Sequence, residues 1–146
     1  MDKARSGRKF GRRGHAVMEV ALYAPWIFFL VGGALDAGFY EVALISTQNA
    51  AREAVQYTSK SSLTLADSTT ACTMALDEMA SLPNLTNVTS CGASPLIVTA
   101  SAVTGPDGGA ASEVSVTYTT GLLIPIPWLM KNMTVTRKVQ MRQRYQ

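Results

Sequence analysis

Between Glu19 and Asp36 the chain runs for sixteen residues, Val20 to Leu35, without a charged side chain. As a helix that run reaches roughly 24 Å, a little short of a bilayer core of about 30 Å. Adding His15 to Met18 and Ala37 to Tyr40 makes it long enough, and takes Glu19 and Asp36 into or near the lipid. A charge at the bilayer centre costs on the order of 3 kcal/mol or more, so an acid at that depth is rarely idle. Glu19 lies near one edge, where snorkelling or protonation lowers the cost. An interfacial glutamate simply tolerated at a helix end is the plainer reading.

Lys3, Arg5, Arg8, Lys9, Arg12 and Arg13 place six of the thirteen basic residues ahead of Gly14. Beyond it stand seven basic and nine acidic residues, a formal charge of −2. The isoelectric point near 9.0 therefore describes the leader and gives no support to nucleic-acid binding. Such a cluster orients a following span with its amino end in the cytoplasm and the remainder across the membrane. A secretory signal peptide shares the basic and apolar regions, with Gly32-Gly33-Ala34 as its cleavage candidate. Against it, the apolar run is too long and passes into a continuing helix. Arg12-Arg13 also suggests a twin-arginine signal, which a glutamate inside the apolar segment disfavours.

Gly14 followed at the fifth position by Glu19 resembles the prepilin-peptidase site of type IV pilins. The wider pattern resembles a TadE-like pseudopilin, or minor pilin, of the tight-adherence (Flp, type IVb) pilus systems. It comprises Pro25, Gly33, Asp36 and Gly38, then Gln48-Asn-Ala-Ala-Arg-Glu53, and the match covers residues 11 to 57. Val20 departs from the phenylalanine that often follows the glutamate in that family. The resemblance implies cleavage between Gly14 and His15, and pairing of Glu19 with the amino group freed on a neighbouring subunit. It also implies the partners: the prepilin peptidase, the pilus assembly platform, other pilins through the stem helix, and the membrane. A bacterial inner-membrane protein with a periplasmic head, in some cases incorporated into a surface pilus, is the corresponding location. Two other classes remain: an uncleaved membrane-anchored periplasmic interaction protein of the related TadG kind, and a secreted enzyme whose signal peptide imitates this pattern.

Further along, the residues predict a leader at 1–14, a transmembrane helix at 15–40, an amphipathic extension at 41–60 and a head at 61–146. Pro25 lacks an N–H and clashes with the Ala21 carbonyl, predicting a kink. Gly33 with Ala37, and Ala34 with Gly38, form small-x-x-x-small pairs that let another helix approach closely. Gly and Ala are also simply common in membrane spans, and flexibility where the stem leaves the bilayer is a third reading. In the extension, Phe39, Val42, Ala43, Ala50, Ala54 and Tyr57 approximate a helical stripe facing the head. Thr58 to Ser62 ends this helix. A short second helix follows, capped by Asp67 or Ser68, with Met74, Leu76, Met79 and Leu82 as apolar members and Pro83-Asn84 as its stop.

The remainder predicts strands. Leu96 to Val103, a turn at Gly105 to Gly109, and Glu113 to Thr119 form a hairpin burying Val114, Val116 and Tyr118. Gly121 to Met130 carries two prolines and reads as an apolar loop. Met133, Val135, Val139 and Met141 mark another strand, with Arg137 breaking its apolar face. The expected fold is α+β: a long N-terminal transmembrane helix continuing into a small pilin-like head with about three antiparallel strands. Cys72 and Cys91, an even count in an oxidising compartment, predict one disulfide. Closing that loop stabilises the head by roughly 3 kcal/mol in the chain-entropy model.

No enzyme constellation is evident. His15 is the single histidine, and no carboxylate pair or phosphate-cradling loop can be named. No cofactor, metal or nucleic-acid partner is expected, and chemistry is done to the chain rather than by it.

Overall fold

The computed structural model describes residues 13–121 and 132–144. Helix α1 (Arg13–Thr58) is followed by α2 (Ser68–Glu78) and strands β1 (Gly92–Ala93), β2 (Leu96–Thr104), β3 (Ala110–Thr119) and β4 (Thr134–Arg142). The chain divides into two units between Leu35 and Asp36. In the first, α1 begins two residues earlier than the expected His15 and runs on through Pro25. Pro25 leaves the Ala21 carbonyl without its intrahelical donor, and the helix is not interrupted there. From His15 to Val31 every residue is exposed, including Val20, Leu22, Trp26, Phe28, Phe29 and Leu30.

The second unit is α+β and pilin-like: the remaining part of α1, a short helix, and a four-stranded antiparallel sheet in the order β1-β2-β3-β4. The sheet exceeds the expected three strands by the two-residue β1, paired to β2 through Gly92↔Ile97 and Ala93↔Leu96. In β3, period-two alternation sends Val114, Val116 and Tyr118 into the core as predicted. Opposite them Leu96 and Val98 from β2 are buried as well. Burying a side chain of this size contributes about 1.5–3 kcal/mol. On β4 Val135 is buried, while Arg137 shares the inward face and is half-buried, as its place in the alternation required.

The α1 stripe holds at the expected Ala43, Ala50 and Ala54 and departs from the expectation at Phe39, Val42 and the half-buried Tyr57. Ala43, Thr47, Ala50, Ala51, Ala54, Val55 and Thr58 are buried, at the i, i+4, i+7 spacing of one helical face. Phe39 and Val42 are 42% and 50% exposed. Val42 lies one residue, about 100°, out of phase with Ala43, and the core cluster has no member before Ala43. Thr47 joins the stripe because its hydroxyl donates to the Ala43 carbonyl at 2.6 Å, which satisfies it locally.

Asp67 caps α2, its Oδ1 accepting from the N–H groups of Thr69 and Thr70 at 3.1 Å. The buried face of α2 is alanine: Ala71 and Ala75, with Met79 at the C-cap. Met74 and Leu76 pack only partly against the core. The helix ends at Glu78, well before Pro83, with the Met79 N–H bonded to the carbonyl of Ala75. Cys72 on α2 and Cys91 just before β1 form the predicted disulfide, with Cα atoms 5.6 Å apart. Gly108, at φ +77°, supplies the left-handed residue of the β2–β3 turn. The proline-containing loop predicted for Gly121 to Met130 lies, after Gly121, outside the described residues, as does the leader up to Arg12.

Candidate functional site: the amino-terminal stem

The amino end of α1 gathers the residues singled out from the sequence. Gly14 and His15 lie in its first turn. Glu19 follows His15 by four positions, and residues so spaced neighbour each other on a helix surface. Both are exposed. The uncharged run Val20 to Leu35 rises roughly 24 Å, short of a hydrocarbon core of about 30 Å. Among the described residues, α1 from His15 is the one helix long and apolar enough to cross a membrane. The 21 residues from His15 to Leu35 rise roughly 32 Å.

The small residues occupy the stretch where the two units meet in the chain. Ala34, Ala37 and Gly38 are exposed, Gly33 and Asp36 half-buried. A Cβ added at Gly33 or at Gly38 meets nothing within 4 Å. Their missing side chains are therefore not required by this chain's own packing.

Among the described residues, no three His, Cys, Asp or Glu side chains gather to hold a metal ion. An open recess of about 320 Å³ beside the β2–β3 turn is lined by Pro106, Asp107, Gln140 and Arg142 among others. Its two charges face each other, Arg142 Nη1 to Asp107 Oδ2 at 2.8 Å. Two polar clusters, one buried and one half-buried, were not legible in the sequence. Thr58 and Ser112 hydroxyls meet at 2.7 Å, and Ser112 donates to the Leu65 carbonyl at 2.9 Å. The Tyr118 hydroxyl donates to Asn84 Oδ1, while Asn84 Nδ2 donates to the Thr119 carbonyl at 2.8 Å. Burial pushes the Tyr118 phenol above its usual range. Extending the Val114–Val116–Tyr118 alternation back by two residues would have placed Ser112 inside; nothing comparable points to Asn84.

No protein-family model matches this sequence, and no curated protein or solved structure does either.

Proposed function

We propose that this chain is a TadE-like minor pilin or pseudopilin, a single-pass inner-membrane precursor cut after Gly14, whose stem joins or primes a surface filament of the tight-adherence type. The observation that carries the reading is Glu19, the single charged residue between Arg13 and Asp36, five positions after a glycine at the start of an apolar helix. A carboxylate at lipid depth needs a cation or a proton. Cleavage before His15 creates such a cation, and a neighbouring subunit brings it to Glu19 during assembly. The open space around Gly33 and Gly38 supports close approach by another stem. The disulfide supports a head on the oxidising side of the membrane. Partners are the prepilin peptidase, the assembly platform and other pilins, and the chain itself performs no catalysis.

A second reading takes its support from α1 beginning at Arg13, so that helix runs across the Gly14–His15 bond. An uncleaved, anchored periplasmic interaction protein of the TadG kind would carry such a helix. Mass spectrometry of the membrane-extracted protein, co-expressed with a prepilin peptidase, separates the two. An amino terminus at His15, lost on Gly14→Leu, supports the pilin. An intact Met1 end overturns it and leaves the anchor.

A further inference from the structure

We propose that the outer edge of β4 binds an extended, acidic segment of another protein by strand addition. This concerns the head and does not depend on cleavage after Gly14.

β4 is the last strand of the sheet, paired on one side to β3. The Thr120 N–H donates to the Met133 carbonyl at 2.8 Å, and the Gln143 N–H to the Ala110 carbonyl at 2.9 Å. Hydrogen-bonded pairs alternate along an antiparallel ladder. With the register Thr119↔Thr134 through Ala111↔Arg142, the inward-bonded residues of β4 are then Val135, Arg137, Val139 and Met141. The backbone groups of Thr134, Thr136, Lys138, Gln140 and Arg142 point to the other edge. All five residues are exposed. Among the described residues, no backbone group outside β3 bonds to them. The opposite edge of the sheet is blunted differently, by a β1 only two residues long.

The charge on this edge selects its occupant. Within residues 61–146 all five acids precede Val114, and all five bases, Lys131, Arg137, Lys138, Arg142 and Arg144, follow Met130. Arg137 lies on the inward face of β4, and Lys138 and Arg142 on the outward face. Cations thus flank the edge from both sides. Arg142 is engaged by Asp107 at 2.8 Å, Lys138 only loosely by Glu113 at 3.9 Å, and Arg137 forms no ion pair among the described residues. A second copy pairing antiparallel about Lys138 would set Lys138 against Lys138, and like charges directly opposite are destabilising. Basic residues on an edge strand oppose self-pairing in this way. An acidic strand gains instead, because its alternating side chains meet the cations on both faces while its backbone completes the ladder. A flat anionic lipid surface reaches only one face at a time and leaves the backbone groups unpaired.

The test uses the full chain in nanodiscs with residue-resolved amide exchange. The probe is an end-blocked peptide, Glu-Glu-Val-Thr-Glu-Glu-Val-Thr, with acids on both faces. Without peptide, the amides of Thr136, Lys138 and Gln140 should exchange fast while those of Arg137 and Val139 stay protected. The acidic peptide should slow the first set, and its lysine counterpart should not. Arg137→Glu with Lys138→Glu should weaken binding about tenfold, the scale of two exposed charge pairs. Thr136→Pro, which removes one outward N–H and spares the β3 ladder, should reduce it further with the charges retained. Retained protection at Val114 and Val116 checks that each variant is folded; if the proline variant is not, the charge reversal decides. The proposal is overturned if the outward amides are already protected, which means a covered edge. It is equally overturned if the peptide slows none of them, if the lysine peptide acts as well, or if phosphatidylglycerol vesicles act where the acidic peptide does not.

Discussion

Replacing Ser112 by alanine tests how the end of α1 is tied to the sheet. The Ser112 side chain is fully buried and has one proton to give. It gives it to the Leu65 carbonyl at 2.9 Å, so the 2.7 Å contact with Thr58 has the threonine as donor. The relay therefore runs from Thr58 through Ser112 to Leu65. Ser112→Ala strips Leu65 of its donor, a loss of about 2 kcal/mol for a buried acceptor left unmade. The Thr58 hydroxyl is partly rescued by the Val55 carbonyl at 3.3 Å. Thr58→Val removes only the first link and leaves Ser112 bonded to Leu65, so about 1 kcal/mol is expected. Native-state amide exchange at Val114 and Val116 reads both. On the ratio of 1.4 kcal/mol per tenfold, the expected accelerations are about thirtyfold and about fivefold. The double variant should fall short of the sum, since the residues are in contact. Equal effects of the two single changes, or a Ser112→Ala effect below about twofold, would refute this proton assignment and the tie built on it.

Reducing the head, or changing Cys72 and Cys91 together to serine, should lower its stability by about 3 kcal/mol on the chain-entropy estimate; denaturant midpoints with and without reductant measure this. Asp67 is held below its usual carboxylate range, chiefly by the Thr70 hydroxyl and then by the Thr70 N–H. A lowered folded-state value adds stability above the unfolded value and loses it as pH falls through the folded one. Acid titration of α2 amide protection should therefore decline less steeply in Asp67→Ala than in the wild type. Gly33→Leu should leave head stability unchanged, since an added Cβ meets nothing within 4 Å, yet weaken stem association in membranes several-fold by energy transfer between labelled chains. Unchanged association would remove the helix-packing role assigned to these small residues.

The legible parts of the fold were those with strong periodicity. The alternation in β3, the turn at Gly105–Gly109, the Asp67 cap and the cysteine pair all stand where the residues placed them. The helix faces were less legible, because alanine carries the burial. Ala50, Ala51, Ala54, Ala71 and Ala75 are completely buried, while larger apolar neighbours such as Val42 and Ile45 are exposed. A hydrophobicity reading favours the larger side chain, yet close packing of a helix favours the smaller. β1 was illegible because two residues are too few to show a period. In the stem, the pattern Gly14, Glu19, Pro25 was legible, and the meaning proposed for it, processing and assembly, lies outside the isolated chain.

Under the proposed function, the change in α1 from bulky exposed apolar side chains to one buried stripe marks where its solvent changes. Large exposed apolar residues run densely from Val17 to Val31, and the first buried stripe residue is Ala43, with Glu41 just before it. The uncharged run Val20 to Leu35 rises roughly 24 Å as helix, less than a bilayer core of about 30 Å, and tilt shortens that reach further. Both acids cannot stand clear of an average hydrocarbon layer unless the bilayer thins. Asp36 is half-buried, has a partner and belongs to the head unit. Under the proposed function the excess depth falls on Glu19. Under the proposed function, the amino group freed at His15 of a neighbouring stem pairs with Glu19 and removes the conflict without moving either end. The same geometry makes Glu19→Gln informative. It should ease membrane insertion while abolishing incorporation into filaments, and a variant that inserts and assembles like the wild type would leave the carboxylate without the role given to it.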